Sequence, residues 1–326
     1  MPSTEEAITV VDKAGDNSAV TRPLVAVVGP TAVGKTETAI QLAEKLNGEI
    51  VSADSRLLYR GMDIGTAKPT QEDLQRVPHH LIDVAQLDEV WSLATYKTAA
   101  MQAIEEIHSN KHLPFLVGGT GQYIRAILEQ WDVPQAQPNQ QLRSILQAWA
   151  HKESRERLHE RLAILDLEAA KQIDPRNLRR TIRALEVILT TGKRFSSLRT
   201  SAPSKYQVFM VGLIRPRPEL YTRIDERIHQ MIKMGVIEEV QTLLDMGYHP
   251  DLPPLSAIGY REVIAYLKGK ISLDEAVEQM KRRTRVFVRR QANWFKLENP
   301  DIHWYGMKAN VVDEIEAAIR EWLRAR

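Results

Sequence analysis

A chain of 326 residues, 43% hydrophobic and 26% charged, has the make-up of a globular protein with room for one large domain and a smaller one. It contains no cysteine, which excludes disulfides, thiolate nucleophiles and cysteine-ligated zinc and fits a reducing cytoplasmic setting. The net charge of +2 hides an imbalance: residues 1–150 carry 12 Lys/Arg against 18 Asp/Glu, and residues 151–326 carry 32 against 24. A polyanionic partner is expected for the second half, although a solvated, arginine-rich face would give the same count.

Residues 1–22 lack a basic start followed by an apolar stretch, so they are not a secretory signal and read as a loosely ordered tail. No apolar run approaches the roughly 20 residues needed to span a bilayer, so no membrane contact is expected. L-V-A-V-V at 24–28 is a continuous apolar run of the kind buried on both faces of a sheet. Helical spacing then runs from Thr36 to Leu46 and stops at Asn47 and Gly48. E-I-V-S-A at 49–53 is a second strand, residues 96–107 a helix, and L-P-F-L-V-G-G-T at 113–120 a third strand ending in glycines. Alternation of this kind predicts an α/β fold: a parallel sheet flanked by helices, with ligands at the carboxyl ends of the strands. Gly29, Asp54 and Gly118 each follow a strand, so all three are expected to border one crevice.

From Gln135 the texture becomes polar and then arginine-rich and helical, and strand character returns only at 207–214. This predicts a core over 23–133, a helical insertion over 134–205, and a second core part over 206–326 with basic C-terminal helices. Helices are expected over 218–247, 256–269 and 272–297, and an amphipathic helix closes the chain.

Gly29, Pro30, Thr31, Ala32, Val33, Gly34, Lys35 and Thr36 match G-x-x-x-x-G-K-[ST], the P-loop, between a strand and a helix. Backbone N–H groups turned inward by the glycines, the positive end of the helix and the Lys35 ammonium all favour phosphate. The Thr36 hydroxyl can hold Mg²⁺. Asp54, just past the second strand, could bind metal, could accept a proton from an attacking nucleophile, or could cap a helix with Ser55. Between Lys281 and Lys296 stand seven basic residues and no acidic one, interrupted by Phe287, Trp294 and Phe295. Such a segment can meet phosphates and stack unpaired bases, or be an ordinary helix with its aromatics in the core. His79 and His80 have no further ligand nearby and suit structural or substrate-lining roles better than metal binding. Trp91 and Trp131 suit packing.

Several stretches together resemble the tRNA dimethylallyltransferase (tRNA isopentenyltransferase) family: G-P-T-A-V-G-K-T, A-D-S-R-L-L-Y-R-G-M-D-I-G-T-A-K-P, V-P-H-H-L-I-D-V, L-V-G-G-T-G-Q-Y, R-A-L-E-V and I-G-Y-R-E. The likeness runs from about Leu24 to about Trp304. It implies transfer of a dimethylallyl group from dimethylallyl diphosphate to N6 of adenosine 37, in tRNAs reading codons that begin with U. The loop at 29–36 would then hold the leaving diphosphate, with Mg²⁺ on Thr36 and Arg223 near the diphosphate. The resemblance makes Asp54 the base and sets Thr120 and Lys35 at the reaction centre. It assigns tRNA contacts to Asp54, Ser55, Arg56 and Leu57, to Thr120, and to Arg143. Further contacts fall on Arg179, Arg180, Thr181, Ile182 and Arg183, and on Ser256, Ala257, Ile258, Gly259, Tyr260 and Arg261. A last group comprises Arg289, Arg290, Gln291, Trp294 and Lys296. A monomer that binds tRNA through its anticodon stem-loop is expected. The rival readings are a P-loop small-molecule kinase and an RNA-binding nucleoside-triphosphate switch. The first has no need of a basic C-terminal half, and the second would want a second-strand acid paired with a water-positioning residue.

Overall fold

The structure, a computed structural model, describes residues 22–133, 139–199 and 204–325. Residues 1–21 of the expected tail and 134–138 of the polar stretch lie outside the described residues, while Arg22, placed in that tail, begins the first strand. Strand β1 (Arg22–Val28) is the pivot. It runs parallel to β4 (Leu113–Val117) on one side and β5 (Tyr206–Ile214) on the other. Strand β2 (Gly48–Ser52) lies outside β4, and two short strands, β3 (His79–His80) and β6 (Ile302–Gly306), close the edges. The order is β3-β2-β4-β1-β5-β6, with every pairing parallel.

The period of two along each strand divides the core. Leu24 and Val28 of β1 and Leu116 of β4 feed one cluster; Val25, Val27, Phe115, Val211 and Leu213 feed the other. Helix α1 (Lys35–Leu46) covers the second face and α3 (Leu93–Ser109) the first, with α2 (Gln71–Arg76) and α4 (Gly121–Leu128) at the ends of their strands. Asn47, in the left-handed region at φ 50°, ends α1 as its sequence predicts.

Both edge strands escape a reading by pattern. β3 has only two residues, too few for any periodicity, and β6 alternates weakly because it sits at the rim. The adjacent histidines diverge, as expected for structural residues: His79 Nδ1 meets Val77 O at 2.7 Å, and His80 Nε2 meets Glu49 at 2.6 Å. Trp91 packs against the first core cluster.

The insertion contains α5 (Gln140–Lys152), α6 (Arg155–Leu165), α7 (Leu167–Gln172) and α8 (Leu178–Thr191), which share a core of their own around Leu146, Leu158, Leu162 and Leu185. A buried carboxylate ties α5 to α8. Glu186 accepts from Arg143 Nε and Nη2, both at 2.8 Å, from Arg183 Nη1 at 2.6 Å and from the Asn139 N–H at 2.8 Å. Burial alone would raise the Glu186 pKa, but these donors more than reverse it and hold it below the ordinary glutamate value. A depressed folded-state pKa gives stability that is complete above the unfolded value of about 4.3 and disappears as pH falls through the folded one. Glu186→Gln should therefore lose roughly 1–2 kcal/mol at neutral pH, because both arginines keep partial solvent contact. The difference from the parent protein should shrink in thermal melts taken below about pH 4.

After β5 come α9 (Arg217–Lys233), α10 (Val236–Asp245), α11 (Tyr260–Leu267), α12 (Leu273–Ala292) and, after β6, α13 (Val311–Arg324). The expected helix over 218–247 is two helices, because Gly235 takes φ 96° and ends the first. Among the described residues no helix is long and apolar enough to cross a membrane.

Candidate active site

A cleft of about 940 Å³ opens over the carboxyl ends of β1, β2 and β4. Its walls include Thr31 and Ala32 of the phosphate loop, Asp54, Ser55 and Arg56 after β2, and Gly119, Thr120 and Gly121 after β4. The opposite wall comes from α9, α11 and α12, with Arg179 of the insertion at the rim. Among the described residues seven arginines line this space (Arg56, Arg179, Arg227, Arg261, Arg282, Arg283 and Arg290), against a single lining carboxylate, Asp54. Low-dielectric walls concentrate that positive field and favour a polyanion. Gly29 and Gly118 stand behind the lining rather than on it. A Cβ on Gly29 would fall 2.7 Å from Leu213 O, and one on Gly118 2.2 Å from Ala53 O, so these glycines permit close backbone approach.

The phosphate loop is braced from several directions. Gly34, at φ 116°, turns the chain into α1. Lys35 Nζ donates to Gly29 O at 3.0 Å and Pro30 O at 2.8 Å. Arg223 Nε donates to Ala32 O at 2.9 Å and Arg215 Nε to Val33 O at 2.9 Å, while the Val33 side chain is buried in the core. Burial lowers the Lys35 pKa to about 8; Asp54 opposes this and Arg227 adds to it. Thr36 is exposed at the start of α1.

Arg223 is therefore a loop brace, exposed and outside the lining of the cleft. Arg227, one helical turn further on, occupies the cleft itself: burial lowers its pKa, and the nearby Asp54 opposes the shift. Its Nη2 donates to Thr66 O at 3.2 Å. The signal for it lay in Y-T-R-I-D-E-R, where the second arginine falls at i+4 from the first and so shares its face.

Asp54 and Thr120 meet across the ends of β2 and β4. Asp54 Oδ1 accepts the Arg56 N–H at 2.9 Å, and Thr120 Oγ1 accepts the Ser55 N–H at 3.2 Å. Thr120 N–H donates to Ala53 O at 3.2 Å. Arg56 reaches across to Pro253 O and Pro254 O at 3.0 and 3.1 Å, and Leu57 is half-buried. The segment after Leu57 is held from below. Glu239 of α10 accepts the N–H groups of Asp63, Ile64 and Gly65 at 3.0, 2.7 and 3.1 Å, as well as the Tyr260 hydroxyl at 2.5 Å. Nothing in the sequence singled out Glu239, because an isolated glutamate on an amphipathic helix resembles any solvated one.

Several expected RNA contacts sit elsewhere. Thr181 and Ile182 are buried on the inner face of α8, and Arg143 and Arg183 are engaged by Glu186. Tyr260 is fully buried, and Gly259 N–H donates to Glu262 at 2.8 Å. Ser256, Ala257, Ile258 and Arg261 line the cleft. Arg179 does as well, whereas Arg180 borders a small separate cavity beside Phe195. Along α12 the helical period sorts the basic run: Arg283, Phe287 and Arg290 face the cleft, as does Trp294 in the turn beyond the helix, while Arg289 and the later Lys296 are exposed and outside its lining. Phe295 is buried in the core. Gln291 is buried with both amide ends on backbone groups, Thr31 N–H at 2.9 Å and Gly119 O at 3.1 Å, so it is an internal strut.

Among the described residues no group of three acidic, histidine or cysteine side chains could cage a metal by itself. The exposed Thr36 hydroxyl at the start of α1 is a single oxygen beside the phosphate loop, and a Mg²⁺ ion that keeps its waters takes few protein ligands when substrate phosphates are present.

A family model described as IPP transferase matches residues 57–298. The chain is 47% identical over 305 residues to a tRNA dimethylallyltransferase from Thermomicrobium roseum, covering 92% of each sequence. It is 48% identical over 304 residues to one from Roseiflexus sp. (strain RS-1), covering 93% of this chain and 99% of that one. The crystal structure of the full-length tRNA isopentenylpyrophosphate transferase from Bacillus halodurans is similar with a TM-score of 0.70 and 41% identity, over 94% of this chain and 98% of that one. A eukaryotic dimethylallyltransferase crystallised acting on tRNA is similar with a TM-score of 0.79 and 25% identity, over 94% of this chain and 80% of the other.

Proposed function

Since the chain belongs to the IPP transferase family, alongside the tRNA dimethylallyltransferases, we propose that it transfers a dimethylallyl group from dimethylallyl diphosphate to N6 of adenosine 37 in tRNAs reading codons that begin with U. It is a tRNA-modifying prenyltransferase, and the small-molecule kinase reading gives way to that. The observation that carries the chemistry is the juxtaposition of a phosphate loop with one carboxylate, Asp54, in a cleft whose other charged lining residues, among those described, are arginines.

In this reading the loop amides, Lys35 and Arg227 hold the diphosphate. Mg²⁺, held by the Thr36 hydroxyl and diphosphate oxygens, would supply further neutralisation of the leaving group. The adenine amine is a weak nucleophile, since its lone pair is delocalised into the ring, so attack depends on charge stabilisation at the departing diphosphate. As the N6–C1 bond forms and the C1–O bond breaks, the diphosphate leaves into the cradle and the excess N6 proton passes to Asp54. Thr120, beside Ser55, orients the base. The target nucleotide leaves its stack to enter the cleft, and Phe287 and Trp294 offer faces to neighbouring bases.

Incubation with dimethylallyl diphosphate, Mg²⁺ and unmodified tRNA should yield N6-isopentenyladenosine in a nuclease digest analysed by mass. Consumption of ATP with no modified nucleoside would refute the assignment. Arg290→Glu should weaken tRNA binding several-fold and reduce the slope of affinity against salt by about 1. Arg289→Glu should do distinctly less, because its side chain points away from the cleft. Filter binding at several salt concentrations separates the two.

A further inference from the structure

The glycines of G-G-T-G act as seats for α12 and its continuation. A Cβ on Gly119 would lie 2.2 Å from Gln291 Nε2, and one on Gly121 2.2 Å from the Trp294 ring. The two glycines bracket Thr120, and the two seated side chains are three residues apart, Gln291 in the last turn of α12 and Trp294 in the turn beyond it, where its N–H donates to Gln291 O at 3.0 Å. Gln291 is the more constrained. It is 4% exposed, accepting from Thr31 N–H and donating to Gly119 O. An N–H can only donate and a carbonyl only accept, so one amide orientation alone serves both partners.

One side chain thus joins the loop that takes the donor to the loop that meets the acceptor, and it belongs to the helix whose preceding residue, Arg290, faces the RNA side of the cleft. We propose that Gln291 is a positioning residue that sets the spacing between the phosphate cradle and Thr120 with Asp54. The inference rests on the prenyl-transfer reading above. Gln291 uses up the Thr31 N–H, so it shapes the cradle without supplying a donor to the phosphate. Its loss should leave the remaining phosphate contacts in place and disturb the distance between the reacting carbon and the amine. Misplacement by about 1 Å is enough to cost roughly 10²-fold in rate.

The test is steady-state and single-turnover prenyl transfer by the full chain, with rates expressed per folded molecule from donor-binding stoichiometry. Gln291→Met keeps the volume and removes both hydrogen bonds. Gln291→Glu keeps an acceptor for Thr31 but sets a carboxylate against Gly119 O. Both should lower kcat by roughly 10- to 100-fold while each substrate's KM moves by less than about threefold. Gly119→Ala, which evicts the glutamine from its seat, should act alike, and the Gly119→Ala/Gln291→Met double variant should be no slower than the worse single. Wild-type kcat in Gln291→Met, a purely KM effect, or multiplicative losses in the double variant would each overturn the proposal. An inactive parent protein would instead remove the functional reading beneath it.

Discussion

Asp54→Asn should slow single-turnover prenyl transfer by about 10²-fold or more, with tRNA affinity nearly unchanged. The asparagine keeps an oxygen that can accept the Arg56 N–H, the bond that shapes the turn after β2 at 2.9 Å. Loss of rate in that variant therefore reports loss of the base and not collapse of the turn. Among the described residues Asp54 is also the one carboxylate lining a cleft that seven arginines line, so removing its charge strengthens the positive field around any RNA. Binding should hold or tighten while chemistry fails. An unchanged rate in Asp54→Asn would take the proton-acceptor role away from this residue, and a parallel fall in tRNA affinity would indicate a binding role instead.

Lys35→Met should produce a comparable or larger loss, seen mainly in kcat/KM for the donor. A unit charge about 4 Å from a phosphate oxygen is worth about 4 kcal/mol at an effective dielectric of 20, or close to three powers of ten. The pH dependence offers a second handle. Burial brings the Lys35 pKa down to about 8 in the free protein, so its ammonium is progressively lost as pH rises through that value. The charged form is the one that holds diphosphate, so kcat/KM for the donor should be flat below about pH 7 and fall on the alkaline side. Asp54 raises this pKa and Arg227 lowers it. The alkaline limb should accordingly move to lower pH in Asp54→Asn and to higher pH in Arg227→Gln. Donor affinity measured by calorimetry across pH 6.5–9.5, about 1.5 units either side of the Lys35 value, checks both the limb and its two displacements.

How much of this could be read from the chain depends on how local each signal was. β1, β4 and β5 are internal strands whose runs are largely apolar, and β2, also internal, pairs apolar Ile50 and Val51 with buried Glu49 and Ser52, so the positions of all four follow from hydropathy and strand spacing. β3 and β6 exist because a neighbouring strand offers them an edge, and a two-residue strand carries no period to detect. The phosphate loop is a contiguous motif, so all eight positions were legible, yet its braces were not. Arg215, Arg223 and Gln291 come from more than 180 residues away to carbonyls and an amide of the loop. The same limit explains Arg143 and Arg183. Taken one at a time they look like cations waiting for RNA, and only the buried Glu186 between α5 and α8 shows that they are already engaged. Within R-R-T-I-R and S-A-I-G-Y-R, a contact assigned to every residue in a row ignores the helical turn, which hides Thr181, Ile182 and Tyr260 in the interior.

Glu239 adds a consequence for ligand selectivity. The three successive amides of Asp63, Ile64 and Gly65 form a small anion receptor in their own right, and the protein fills it with its own side chain. A tethered occupant competes at a high effective concentration, so a free anion drifting into the cleft is turned away from that end. On the proposed reading, the molecule thereby carries two anion-receptive hollows in its backbone and leaves only the phosphate loop open to a dissolved diphosphate.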